Sequence, residues 1–165
     1  MDKELIINSS SSEVNIALLE DKLLVELHKE KTNTKYAVGD IYLGKVKKLL
    51  PGLNAAFVNV GYEKDAFLHY LDLGPQINSL QKFTKISMSR SLKNISIEKF
   101  ILLNDIEKTG KITDILRTNS QILVQIAKEP ISTKGPRISS EISLAGRYLI
   151  LVPFSNKIFL SQKIK

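Results

Sequence analysis

Short runs in which apolar and polar residues alternate, broken every few positions by Gly, Pro or Asn, set the strongest limit on what this chain can become. In AAFVNVG, residues 55–61, Ala56, Val58 and Val60 make one face, while Phe57 shares the other with Asn59. In DAFLH, residues 65–69, Ala66 and Leu68 face one way, and Phe67 sits with Asp65 and His69. The period of two predicts half-buried strands and places two phenylalanines on the faces that carry polar groups. A ring in that position is either folded inward by the curvature of a barrel or offered to a ligand.

Similar runs extend the pattern. VGDIYLGKVKKLL and SQILVQIAKE read as further short strands, so that from about Tyr36 the chain predicts a small antiparallel barrel. Gly39, Gly44, Gly52 and Gly61 are expected at its turns and bends. Before it, ELIIN, EVNIALLED and KLLVELHKE predict a three-strand meander with one buried face. Three strands alone bury too little to stand independently. Residues Leu71 to Asp114 lack a clear period, and a long basic surface loop with at most a helical turn is expected there. After the break at Gly135-Pro136, ISSEISLAG reads as strand or turn, RYLILVPF as a strongly apolar strand and NKIFLSQKIK as another short strand. The fold class is mainly β.

Composition excludes several alternatives. Hydrophobic residues make up 43% of the 165, which predicts a packed core rather than disorder. The absence of cysteine removes disulfides and thiolate zinc sites. No secretory leader pattern is visible, and the apolar runs fall well short of the ~20 residues a membrane helix requires. A cytoplasmic protein without a membrane segment is expected. The net charge is +7 and unevenly placed: residues 1–35 hold 5 basic and 7 acidic residues, 36–128 hold 13 and 8, and 129–165 hold 6 and 2. The positive excess after residue 35 suits a polyanion, because clustered lysines and arginines gain from counterion release.

Motifs for catalysis are missing. There is no P-loop, GxGxxG or HExxH, the two histidines are far apart, and no set of carboxylates ends adjacent apolar strands as a magnesium site would need. No catalytic or metal-binding residue is therefore assigned. The barrel segment carries a more specific signal. A barrel of the OB type that holds single strands offers aromatic rings as stacking platforms, with lysines along the phosphates. Phe57 and Phe67 are placed for the first role. Lys45 and Lys47, which share a face with Leu43, and Lys128 at the end of SQILVQIAK suit the second.

Three long stretches resemble the bacterial ribonuclease E/G family of endoribonucleases, its ribonuclease G-like members in particular. ELIINSSSSEVNIALLEDKLLVELHKE resembles the opening strands of the family's RNase H-like domain. VGDIYLGKVKKLLPGLNAAFVNVGYEKDAFLHYLDL is similar to its inserted S1-type RNA-binding domain. ILVQIAKEPISTKGPRISSEISLAGRYLILVP is similar to the segment leading into its five-prime sensor. The resemblance implies an S1-type OB-fold at residues 36–128, first strands of an RNase H-like domain at 1–35 and the start of a truncated sensor at 129–165. It implies RNA-binding roles for Phe57, Phe67, Lys128 and Lys134, and gives Gly146 and Ile150 backbone positions in a pocket for a 5′-monophosphate. Single-stranded RNA, possessing or lacking that phosphate, is the implied partner. The family's catalytic Mg²⁺, held by aspartates of a DNase I-like domain, its phosphate-clamping arginine–threonine pair and the zinc cysteines that link its subunits all match positions beyond Lys165. One departure falls within the chain: where the family commonly has an arginine pair after a serine, this chain reads Ser161-Gln162-Lys163. The expected function is thus the RNA-holding part of an endoribonuclease of RNA processing and decay. The alternative is a stand-alone OB-fold RNA-binding module without nuclease activity.

Overall fold

The computed structural model describes residues 2–31, 35–89 and 100–161, and divides into two compact units, one ending at Lys35 and one beginning at Tyr36. Residues 90–99 of the basic insertion and the Gln162-Lys163 departure lie outside the described residues.

The first unit is an antiparallel meander of β1 (Lys3–Ser9), β2 (Glu13–Glu20) and β3 (Leu23–Lys31). Ser10 closes the first turn: its hydroxyl donates to the Glu13 carbonyl and accepts from the Glu13 N–H. Asp21 and Lys22 both take positive φ in the second, the backbone of a twisted two-residue hairpin turn. The single buried face expected here is not formed. Every residue of β1 and β3 is exposed and every residue of β2 is intermediate. The cause lies in the register, which sets Leu5 and Ile7 on one face with Leu18 and Ile16, and Ile6 on the other with Ala17 and Leu27. Both faces are apolar, and a three-strand sheet covers neither.

The second unit is built on a closed five-stranded barrel. Its strands are β4 (Ile41–Leu50), β5 (Ala55–Asn59), β6 (Ala66–His69), β7 (Gln121–Lys128) and β8 (Arg137–Ser139), in the order β4-β5-β6-β8-β7, with β7 returning to β4. Sequence alone provides four of these strands and ends the barrel at Lys128. The fifth, β8, comes from the following segment and is too short at three residues to show a period. It joins β6 in parallel, the one parallel seam of the barrel. Val46, Ala56, Val58, Leu68, Ile122, Val124, Ile126 and Ile138 fill the interior. Closure removes the open strand edges that a flat sheet would leave.

Gly39 and Gly61 do occupy the left-handed region, at φ +98 and +90, as turn glycines should. Gly44 has another reason. It lies within β4, where a Cβ would come 2.6 Å from a Val58 methyl, so its place is dictated by interior crowding rather than by a turn.

The insertion between β6 and β7 also differs from expectation. It contains α1 (Ile77–Met88), a full 12-residue helix, and the single turn α2 (Ile112–Ile115). Ile77, Leu80 and Thr84 form the buried stripe of α1, at spacings of three and four. The stripe is narrow and mixed with Thr and Ser, which hides it from a hydrophobic count. Phe83 packs against Phe100 and Phe154, with ring centroids 5.7 and 5.5 Å away. The final stretch forms a small antiparallel sheet of β9 (Leu144–Ala145), β10 (Leu149–Leu151) and β11 (Phe159–Leu160). β10 is the apolar RYLILVPF run, yet it is short and exposed throughout.

Candidate nucleic-acid interface

The two rings raised by the sequence are brought together. β5 and β6 pair with Phe57 opposite Phe67, and the inward residues Ala56, Val58, Ala66 and Leu68 are completely buried. Alternation then forces both phenylalanines to the outer face, where each is half-buried. Their ring centroids stand 6.1 Å apart at 69°, edge to face. Asn59 and His69 lie on the same face. The His69 Nδ1 accepts the Leu71 N–H at 3.1 Å, which leaves Nε2 to carry the proton of the neutral ring.

The register continues this pair into a row that runs around the barrel. Lys48 of β4 is opposite Phe57, Arg137 of β8 is beside Phe67, and Lys128 of β7 is opposite Arg137. The order around the closed barrel is Lys48, Phe57, Phe67, Arg137, Lys128, one residue on each strand, so the row curves round the surface with Phe57, Phe67 and Arg137 at its middle. Two irregularities create its basic ends. A bulge between Val46 and Lys48 breaks the alternation of β4, so that Lys47 and Lys48 are both exposed and Lys48, which strict alternation would turn inward, meets Phe57. A second bulge between Ile126 and Lys128 brings Lys128 to Arg137.

Beside the rings is a cleft of about 640 Å³. Phe57 and Phe67 line it together with Lys64 and Asp65 from the β5–β6 loop, and Thr133, Lys134 and Gly135 from the approach to β8. The two loops touch through backbone. A Cβ on Gly135 would lie 2.3 Å from the Asp65 carbonyl oxygen, and the Phe67 N–H donates to the Pro136 carbonyl at 3.0 Å. Lys134 closes its own turn by donating its N–H to Ile131. Arg137 completes the cleft and forks onto Asp72, with Nε and Nη2 each donating to the carboxylate at 2.9–3.1 Å. With Arg137 paired to Asp72, Lys64 and Lys134 face one further carboxylate, Asp65, and the cleft keeps a positive excess.

Comparison with known proteins finds similar sequences among ribonucleases. Ribonuclease G of Escherichia coli (strain K12) is 32% identical over 165 residues, covering 100% of this chain and 30% of its own length. Ribonuclease G of Haemophilus influenzae is 34% identical over 162 residues, 98% of this chain and 29% of its own. The ribonuclease E/G-like protein of Pyropia yezoensis is 41% identical over 133 residues, 80% of this chain and 21% of its own. This chain belongs to the ribonuclease E/G family. It corresponds to an amino-terminal part, spanning at most 30% of the length of these relatives. No family model matches it.

Of the residues that the ribonuclease E/G resemblance implicates, Phe57, Phe67 and Lys134 line the cleft, and Lys128 ends the row. Gly146 and Ile150 are not among its lining residues. They belong to the β9–β10 hairpin, where Ile150 pairs with Ala145 and the Gly146 N–H donates to the Leu149 carbonyl at 2.8 Å. Three cations were missed by sequence reading: Lys48, Lys64 and Arg137. Arg137 adjoins the TKG run, which is a usable signal; Lys48 depends on a bulge and leaves none. Among the described residues no three His, Cys, Asp or Glu side chains gather as a metal site. No described helix is long and apolar enough to cross a membrane.

Proposed function

We propose that the barrel is an S1-type OB domain whose row of rings and cations holds single-stranded RNA for a ribonuclease E/G-type endoribonuclease of RNA processing. The row Lys48–Phe57–Phe67–Arg137–Lys128 carries this reading. Bases have π-faces that stack on phenyl rings whatever their identity, and lysines beside the rings neutralise the backbone. The ring geometry favours an unpaired strand over a duplex. Bases in a continuous stack lie parallel and about 3.4 Å apart, whereas these rings stand 6.1 Å apart at 69°. Two bases seated on them must leave a common stack, which a free strand does easily.

In the same reading, residues 1–35 are first strands of an RNase H-like domain. The apolar faces of β1–β3 are consistent with a sheet completed by other elements. The residues after β8 open a five-prime sensor in which Gly146 and Ile150 offer backbone to a 5′-monophosphate. Because the Gly146 amide is already donating, that phosphate is read through neighbouring groups or after the hairpin opens. In this reading hydrolysis, its Mg²⁺ and oligomerisation go with the parts of the longer relatives that this chain does not match, the location is cytoplasmic, and no hydrolytic step is assigned to the residues described.

The experiment is fluorescence anisotropy with a labelled oligouridylate decamer. Phe57→Ala and Phe67→Ala are each expected to weaken binding by about 1–3 kcal/mol, fivefold or more, while the barrel stays folded. Parent-like affinity in both variants would end the proposal.

A further inference from the structure

We propose that Arg137 is a further RNA-phosphate-binding residue, held on Asp72 until a strand enters the cleft and exchanged from that carboxylate to a phosphate. The inference rests on the RNA-surface reading and adds to it a residue and a mode of engagement. Position comes first: Arg137 stands between Phe67 and Lys128 in the transverse row and lines the cleft that Lys134 also faces. A strand stacked on Phe67 lies next to the strand position that carries Arg137.

Chemistry comes second. Guanidinium forks match carboxylate and phosphate oxygens alike, because both present two acceptors at similar spacing. The pair with Asp72 is therefore an intramolecular stand-in for the proposed ligand. The Arg137 side chain keeps 47% of its surface exposed, against 21% for Asp72. Exposed ion pairs are weak, but a fork onto a partly shielded carboxylate is among the stronger ones, so the exchange relies on the equivalent fork that a phosphate offers. The Asp72 backbone is fixed: its main-chain carbonyl accepts from the Ser139 hydroxyl at 2.9 Å and the Ser140 N–H at 3.0 Å. The carboxylate remains beside Arg137 and competes with an incoming anion for the guanidinium.

The test measures a fluorescein-labelled oligouridylate decamer against the whole chain carrying Arg137→Gln, Asp72→Asn or both. Arg137→Gln should weaken binding about tenfold and flatten the plot of log affinity against log salt by about 0.7. Asp72→Asn should tighten binding several-fold by removing the competitor, and that gain should vanish when Arg137 is also Gln. A gain that persists undiminished in the double variant is a general charge effect and overturns the exchange. Parent-like affinity and slope for Arg137→Gln overturn the residue's role; if Phe67→Ala still weakens binding, the RNA surface stands without it, and if Phe67→Ala is also silent, the surface itself has failed. Should Arg137→Gln not fold, the Arg137 Nε–H resonance of the parent, assigned through its loss in Arg137→Lys, decides. It must shift on saturation with RNA, and an unmoved signal refutes the proposal.

Discussion

Gly135→Ala is the sharpest probe of how the cleft is built. The added Cβ would stand 2.3 Å from the Asp65 carbonyl oxygen, 2.8 Å from that of Lys64 and 2.9 Å from the Asp65 carbonyl carbon. All three are backbone atoms, so no side chain can turn aside. Restoring ordinary contact requires the two loops to part by about 1 Å, which is overpacking of the kind that costs about 1–3 kcal/mol. The separation also pulls on the Phe67–Pro136 hydrogen bond. That bond lies on the weakest seam of the barrel, where β6 and β8 share the one register pair Phe67–Arg137. Losing it adds about 1 kcal/mol. Alanine returns about 0.4–1 kcal/mol by restricting the unfolded chain. The net expectation is a destabilisation of about 1.5–3 kcal/mol, with RNA affinity falling in the folded fraction as the cleft widens. Urea unfolding followed by tyrosine fluorescence is the appropriate assay, because all five tyrosines lie in the second unit and the chain has no tryptophan. At a typical slope, the midpoint should fall by about 1 M. Gly52→Ala provides the control: its Cβ would meet nothing within 4 Å, and its midpoint should barely move. A Gly135→Ala midpoint equal to that of Gly52→Ala would refute the backbone contact as the cleft's support.

The two rings should cost less stability than core residues. Phe57→Ala and Phe67→Ala are each expected to lose about 1–2 kcal/mol, most of it the edge-to-face contact and partial burial, and a loss above 3 kcal/mol in urea would assign the ring to the interior. Asn54 combines a positive φ of 47 with two side-chain bonds, donating to the Gly110 carbonyl at 3.0 Å and accepting the Ile112 N–H at 2.7 Å. Asn54→Gly should therefore cost about 1–2 kcal/mol, and Asn54→Ala about 1 kcal/mol more because alanine resists the left-handed region; the reverse order in the same urea assay would show that the backbone conformation is not what the asparagine supports. Binding to the decamer should weaken with salt at a slope of about −1.5 to −3, corresponding to two to four neutralised phosphates. A slope flatter than −0.7 would mean that the cations of the row do not touch the strand.

What could be read beforehand, and what could not, follows from the range over which each feature is encoded. The faces of β5 and β6 are local: Ala56, Val58, Ala66 and Leu68 reveal the interior within a few residues, and Phe57 and Phe67 fall outside by elimination. The helix α1 is equally local but poorly marked, since Ser79 and Thr84 occupy its buried stripe where leucines would have announced it. Strand β8 is too short to mark itself at all. The row is of another kind, because it runs across the strands and each neighbour is set by a pairing register rather than by spacing along the chain. Counting by twos in GKVKKLL places Lys45 and Lys47 outward and Lys48 inward; one bulged residue reverses the assignment of Lys48 and puts it against Phe57. Arg137 reaches Phe67 across 70 residues, through a parallel seam of one pair. The cations beside the rings are thus encoded in irregularities: straightening the β4 bulge would leave the strand recognisable while turning Lys48 inward and Leu49, which packs on the core, outward.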